Sequence, residues 1–327
     1  MKYFVTGATG FIGGKVAEML CRDGHEVVAL VRSPEKAGNL TAEGIRLHPG
    51  DVTDKASMRG GMAGVDGVFH IAGWYKVGVK DKTPGVRVNI EGTRNVVELM
   101  QELNIEKGVY TSTLAINSDT RGKDVDESYH FDGRHLSEYD RTKAEAHKIA
   151  EQFIAQGLPL VIVMPGLVYG PGDTSSIHDT FQQYLTRKLP MLPQGSAFSW
   201  GYIDDIAHAH ILAMEKGVPG ERYIIAGPTH TLIEAMQIAQ RLTGIPAPRL
   251  HMPAGVLKAS AGIMDVLDDF LPLPDLYTGE GLRVIAGVTY TGDNRKAKRE
   301  LGYNPRPLEE GLRDTLVWEM QQLGMEQ

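Results

Sequence analysis

The feature that most narrows the choice of fold is the run Thr6-Gly7-Ala8-Thr9-Gly10-Phe11-Ile12-Gly13, set between a short β-rich stretch and an amphipathic one. Glycines at a strand-to-helix junction permit a tight turn and let the backbone approach a pyrophosphate. The helix that follows offers free N–H groups and the positive end of its dipole. A glycine-rich turn alone is a common structural device. Here it follows a strand and opens a helix, the context in which such a turn binds a dinucleotide.

The rest of the first half supports that setting. Strands are expected at residues 2–6, 25–32, 45–51, 67–72, 108–112 and 160–164. Helices are expected at 11–23, 58–62, 89–103 and 137–156. Runs such as Val27-Val28-Ala29-Leu30-Val31 are apolar on both faces, as in parallel strands covered by helices on both sides. Alternating β and α units predict an α/β, Rossmann-like, doubly wound parallel sheet. After Gly170 the rhythm changes. Helical stretches at 232–242, 253–269 and 308–323 are separated by irregular pieces and by the breaks Ile245-Pro246-Ala247-Pro248 and Leu271-Pro272-Leu273-Pro274. The expected division is a dinucleotide-binding domain at 1–170, to which the chain returns around 199–228. A smaller substrate-binding cap takes 171–198 and 229–327. A chain of 327 residues accommodates this.

Composition excludes some function classes. Net charge is −7 and the pI about 5.9, which does not suggest a nucleic-acid or anionic-membrane partner. Cys21 is the single cysteine, so no internal disulfide is possible. No signal-peptide pattern opens the chain, and its apolar runs are far shorter than the ~20 residues that span a bilayer. A cytoplasmic enzyme is the expectation. His208 and His210, the closest histidine pair, point to different faces of a helix, and no metal site is expected. Asp124, Asp126 and Glu127 read as a solvated loop run, and His70 as a structural residue of a buried strand end.

Cofactor choice rests on the end of the second strand. An NAD-binder usually places Asp or Glu there for the ribose hydroxyls. This chain has Leu30-Val31-Arg32-Ser33. Arg32 can grip a 2′-phosphate that a carboxylate would repel, so NADP(H) is favoured over NAD(H). Arg32 could equally be a solvated cation, and Glu35 is close by. Asp51, in Gly50-Asp51-Val52, can accept from an adenine amine or cap the helix starting near Asp54.

Tyr139-Asp140-Arg141-Thr142-Lys143 sets Tyr and Lys on one helix face. A phenol titrates near ~10, and bringing it toward neutrality takes about 4 kcal/mol. One ammonium ~4 Å away at an effective dielectric of ~20 supplies that much. Tyr184-Leu185-Thr186-Arg187-Lys188 repeats the spacing. Tyr139 follows the strand at 108–112 and faces the sheet's carboxyl edge, whereas Tyr184 lies in the cap and is taken as structural. Val109-Tyr110-Thr111-Ser112-Thr113 delivers hydroxyls to the same edge, where they can stabilise a reacting oxygen or serve as caps.

With these residues in hand, the chain resembles an extended short-chain dehydrogenase/reductase of the NAD-dependent epimerase/dehydratase superfamily over nearly its whole length. The matching pieces are the glycine turn, Gly50-Asp51-Val52-Thr53-Asp54, His70-Ile71-Ala72-Gly73 and Val88-Asn89-Ile90-Glu91-Gly92-Thr93. They continue with Tyr139 and Lys143, Pro165-Gly166-Leu167-Val168-Tyr169-Gly170-Pro171, Tyr202-Ile203-Asp204-Asp205-Ile206-Ala207, and Asp293-Asn294 with Lys296, Leu301-Gly302-Tyr303 and Pro305. The resemblance implies Tyr139 as general acid/base, Lys143 holding the nicotinamide ribose, and a hydroxyl polarising the substrate oxygen. Thr113 aligns best for that hydroxyl, with Ser112 the alternative. It places cofactor contacts at Gly7, Thr9, Gly10, Phe11, Ile12, Gly13, Asp51, Val52, Ala72 and Gly73, with Pro165 and Val168 near the nicotinamide. It also implies a homodimer formed through the helices at 89–103 and 137–156.

Two departures narrow the branch. Family dehydratases follow the catalytic Thr with Asp-Glu, whereas Thr113 is followed by Leu114-Ala115. Many nucleotide-sugar epimerases carry Asn where this chain has Leu167. What remains resembles the dihydroflavonol-reductase-like branch, whose members reduce a ketone or aldehyde on a hydrophobic substrate with NADPH. Trp74, Tyr75, Phe198 and Trp200 suit an apolar site and equally suit packing. An NAD-dependent nucleotide-sugar epimerase would use the same Tyr, Lys and Thr. A non-catalytic NADP-sensing regulator is a third possibility, although such proteins typically lose the Tyr or Lys.

Overall fold

The computed structural model describes residues 1–268 and 278–325. The Leu271–Pro274 break and Asp269, the expected end of a cap helix, fall outside them.

The first half lays down β1 (Lys2–Thr6), α1 (Phe11–Arg22), β2 (Glu26–Val31), α2 (Gly38–Ala42), β3 (Arg46–Pro49), α3 (Lys55–Met62) and β4 (Gly67–His70). Then come α4 (Gly92–Glu102), β5 (Lys107–Thr111), α5 (Glu138–Ala155), β6 (Leu160–Pro165) and β7 (Leu167–Tyr169). The second half holds α6 (Ser176–Leu185), β8 (Leu192–Pro193), β9 (Ala197–Tyr202), α7 (Ile203–Lys216), β10 (Arg222–Ile225), β11 (Thr229–Thr231) and α8 (Leu232–Thr243). It ends with β12 (His251–Met252), α9 (Ala254–Asp268), α10 (Gly279–Ile285), β13 (Thr289–Tyr290), α11 (Arg295–Leu301) and α12 (Leu308–Gln322).

Seven parallel strands form the main sheet in the order β10-β6-β5-β4-β1-β2-β3. The order in which the chain adds strands reverses between β1 and β4, and the crevice at their carboxyl ends is where doubly wound sheets bind ligands. Successive strand residues face opposite layers. Val5, Ala29, Phe69, Val109 and Val163 enter one core with α1, α7 and α11. Phe4, Val28, Val68, Tyr110 and Ile162 enter the other with α3, α4 and α5. The apolar-on-both-faces runs in the sequence are the two-sided burial of this sheet.

The cap side is built differently, and it takes in β7 and most of β9, residues that the expected division gave to the dinucleotide-binding domain. β7, β9, β11 and β13 make a small mixed sheet, with β9 pairing β7, β11 and β13. Its core gathers aromatic side chains, among them Tyr169, Phe181, Tyr184, Trp200 and Tyr202, against α6, α8 and α12. Tyr184 donates its hydroxyl to the Ile245 carbonyl (2.6 Å), while Lys188 is exposed, so this pair takes no part in the crevice.

Three expectations change. The helix foreseen at 89–103 becomes regular only at Gly92, because Gly85–Glu91 forms wider π-type turns. Trp200 is fully buried in the cap core with its indole N–H on the His230 carbonyl (3.0 Å), so it does not dress the site. Glu127 is not solvated: its carboxylate accepts the Ile224 N–H (2.8 Å) on the open side of β10. Among the described residues no helix is long and apolar enough to cross a membrane, and no group of three or more His, Cys, Asp or Glu could hold a metal.

Candidate active site

At the carboxyl ends of β1 and β4 the backbone is drawn tight. Gly7 has φ +76°, and a Cβ there would stand 2.7 Å from Ala72 N. A Cβ on Gly13 would lie 2.2 Å from the Gly7 carbonyl oxygen. No side chain larger than hydrogen fits either place. The Thr6 hydroxyl oxygen accepts N–H groups from Ile71 and Ala72 (both 3.1 Å). Its own proton is therefore directed to His70 Nδ1 (2.9 Å), which leaves the proton on Nε2 to reach Thr93 Oγ1 (3.0 Å). Burial, assisted by Lys143, pushes the His70 pKa down to about 3, so the ring is neutral. α1 starts at Gly10 with no capping side chain. Its first N–H groups, on Phe11, Ile12 and Gly13, lie in the half-exposed turn beside exposed Thr9. The cradle fits the pyrophosphate of a dinucleotide.

Around it stand the other expected contacts. Arg32 is exposed just past β2 and has no hydrogen-bond or ion-pair partner among the described residues. Asp51 turns its carboxylate to the Thr53 N–H (2.8 Å), and Asp54 is the residue that caps α3. This settles the capping alternative for Asp51. Val52 is buried, and a Cβ on Gly92 would press on it. Ala72 and Gly73 run past the crevice, and a Cβ on Gly73 would stand 3.9 Å from Lys143 Nζ. Pro165 ends β6, and half-buried Val168 lies in β7.

Tyr139, half-buried, occupies the first turn of α5, which Ser137 caps through the Asp140 N–H (3.1 Å). Burial pushes its phenol up to about 12, the Thr113 hydroxyl pulls it back, and Asp140 adds to the rise. Lys143 is buried, with Nζ donating to the Thr111 carbonyl (2.7 Å) and 4.9 Å above the Tyr110 ring. Burial pushes its pKa down to about 7. Lys143 Nζ turns to the Thr111 carbonyl, and burial, the Thr113 hydroxyl and Asp140 are the causes that set the Tyr139 phenol. Helical spacing brings Cβ atoms together, but a four-carbon stem decides where its charge goes.

The two adjacent hydroxyls separate. Ser112 donates to His147 Nδ1 (2.7 Å), whose Nε2 faces Glu151 (3.4 Å), inside the core. Thr113 stays beside Tyr139 and caps the short turn that follows by accepting the Ala115 N–H (3.2 Å). Asn89 is a site residue to which the sequence assigned no role. Its side chain accepts the Trp74 N–H (2.7 Å) and donates to the Trp74 carbonyl (2.9 Å) and Thr142 Oγ1 (2.9 Å). It thereby pins the loop after β4 to the helix of Tyr139. The available signal was its place in Val88-Asn89-Ile90-Glu91-Gly92-Thr93. Phe198 and exposed Tyr75 lie on the cap and loop sides. An open cavity of about 680 Å³ near Asp124, His230 and Asn294 shares no residue with this cluster.

A glycine cradle, an exposed cation past the second strand and a Tyr/Thr/Lys cluster thus share one crevice. The sequence profile of the NAD dependent epimerase/dehydratase family matches residues 3–226. The chain belongs to this family. A Synechocystis protein provisionally designated a dihydroflavonol 4-reductase is 30% identical, over 97% of this chain and 94% of its own. The 4-hydroxy-2-methyl-3-oxo-4-farnesyl-3,4-dihydroquinoline-1-oxide ketoreductase of Stigmatella aurantiaca is 29% identical, over 94% and 92%. The crystal structure of gox2253, 28% identical, superimposes with a TM-score of 0.87 over 99% of both chains. The protein is an NAD(P)-dependent enzyme of the extended short-chain dehydrogenase/reductase type.

Proposed function

We propose that the protein reduces a ketone or aldehyde on a small hydrophobic molecule, with NADP(H) as its cofactor. The observation that carries this reading is the convergence of Tyr139 and Thr113 beside Lys143 at the carboxyl edge of the sheet. The cofactor, when bound, supplies the hydride. Tyr139 gives its proton to the substrate oxygen, and the Thr113 hydroxyl donates to the same oxygen as charge develops on it. Lys143 holds the nicotinamide ribose. Gly7, Thr9, Gly10, Phe11, Ile12 and Gly13 hold the pyrophosphate, Asp51 and Val52 face the adenine side, and Ala72, Gly73, Pro165 and Val168 flank the nicotinamide. In this reading residues 1–170 bind the cofactor, and 171–198 with 229–327 bind the substrate. The enzyme works in the cytoplasm as a homodimer joined through α4 and α5.

NADP(H) is favoured because Arg32 is exposed and unpaired among the described residues, where an acidic residue would repel a 2′-phosphate. Leu167 at the start of β7 offers no side-chain donor to a diphosphate. The relatives named as reductases point the same way. Fluorescence titration with NADPH and NADH tests the reading. Arg32→Ala is expected to weaken NADPH by about tenfold, ~1.4 kcal/mol, and leave NADH unchanged. Tight NADH binding indifferent to Arg32 would overturn the NADP assignment and put nucleotide-sugar epimerisation by the same residues first.

A further inference from the structure

The first turn of α5, which carries Tyr139, is held from outside its own helix. Glu280, buried in the first turn of α10, accepts the Glu138 N–H through Oε1 (2.5 Å). Its Oε2 accepts the Gly78 N–H (3.2 Å) and pairs with Lys82 Nζ (2.9 Å). One carboxylate thus joins the cap, the helix of Tyr139 and the loop between β4 and α4. Asp140, buried directly after Tyr139, accepts the Tyr290 hydroxyl of β13 (3.0 Å). Tyr290 in turn stacks on Phe198 of β9, the rings 6.1 Å apart and 9° from parallel.

A buried carboxylate is costly unless donors satisfy it, and leaving donors such as these unpaired costs as much. Both carboxyls are spent on the same turn. Glu280 reaches its partners across 142 and 202 positions of sequence, and Tyr290 reaches Asp140 across 150. The loop that Glu280 grips continues into the Trp74 segment held by Asn89, so the loop, helix and cap close around the Tyr139 side together.

We propose that Glu280 and Asp140 are positioning residues for Tyr139: two buried carboxyls through which the cap holds the first turn of α5 and the loop at Gly78–Lys82 in place around the reacting carbonyl. The proposal rests on the reading of Tyr139 as proton donor. Neither carboxyl exchanges a proton with the substrate; each acts by setting where the phenol stands.

The test uses the full-length protein and the variants Glu280→Ala, Glu280→Gln, Asp140→Ala and Asp140→Asn. Amide hydrogen exchange is followed in the free protein, and NADPH-dependent reduction of phenanthrenequinone serves as the turnover probe. In Glu280→Ala, exchange at Glu138 and Gly78 is expected to quicken at least about tenfold, with β5 and β6 unchanged. Its kcat is expected to fall about 10- to 100-fold, as for a displaced catalytic group, with the NADPH Kd and quinone KM within about twofold. Glu280→Gln and Asp140→Asn, which retain an acceptor oxygen, are expected to lose less than the alanine variants. Unchanged exchange at Glu138 would overturn the proposal, as would faster exchange with unchanged kcat. Loss of NADPH binding in the near-isosteric Glu280→Gln would assign Glu280 to the fold and overturn it too. If the wild-type protein reduces no carbonyl probe, the reductase reading fails alone, and the exchange data still decide whether these carboxyls hold the turn.

Discussion

The two sides of the crevice are built on different principles. On the glycine side the backbone itself is the device. Gly7 and Gly13 pack against neighbouring carbonyl and amide groups with no room for a methyl, and Thr6, His70 and Thr93 lock that packing through one directed hydrogen-bond chain. Every participant comes from residues 6–93. On the tyrosine side, side chains do the placing, and they arrive from Asn89, Glu280 and Tyr290. A site that must cradle an invariant cofactor can be local and rigid. A site that must meet a particular substrate is assembled from distant parts of the chain.

The contrast can be broken at either side. Tyr139→Phe removes the proton donor and nothing from the cradle. It is expected to cut turnover about thousandfold, within the range for a lost general acid, with NADPH affinity unchanged. A fluorescence titration beside steady-state kinetics checks both halves, and a parallel loss of NADPH binding would show that the two sides are not separable. Gly13→Ala strikes the other side, where its methyl would meet the Gly7 carbonyl. NADPH affinity should fall about hundredfold, ~2.7 kcal/mol, while exchange protection in the first turn of α5 persists.

Per pH unit, the smallest effect concerns the lock on the glycine side. His70 is held near 3 in the fold against 6.5 when unfolded, so between those values the unfolded chain binds a proton that the native one refuses. Its contribution to stability is therefore complete above about pH 6.5 and lost as pH falls toward 3, by at most about 1.4 kcal/mol per pH unit. Urea unfolding across that window should show a shallower acid slope for His70→Gln than for the wild type. Equal slopes would mean that the ring is not neutral in the fold.

The same contrast explains what could be read from the chain. The glycine turn and every main-sheet strand but β10 were legible because their signals are local: strands of four to six residues, most with apolar residues on both faces, and a turn that only small residues satisfy. The cap sheet was not, since β7, β11 and β13 have two or three residues each and pair across long stretches of sequence. Thr113 was favoured over Ser112 only through the resemblance, and the backbone just past β5 separated them, sending Ser112 to His147 and Thr113 to the Tyr139 side. The partner of the Lys143 ammonium was not legible for a related reason, because spacing on a helix says nothing about a carbonyl on the neighbouring strand. Glu280 carried no signal at all: one acidic residue gains its meaning only when three segments fold around it.

Glu127 has a consequence outside catalysis. β10 is the last strand on its side of the main sheet, and the Glu127 carboxylate occupies the Ile224 N–H on its open side. Another chain adding a strand there would have to displace a charged acceptor. At the opposite margin β3 is four residues long and closes with Pro49, which has no N–H to offer. Both margins of the sheet thus discourage strand-to-strand self-association, a property that favours a chain remaining dispersed at high concentration.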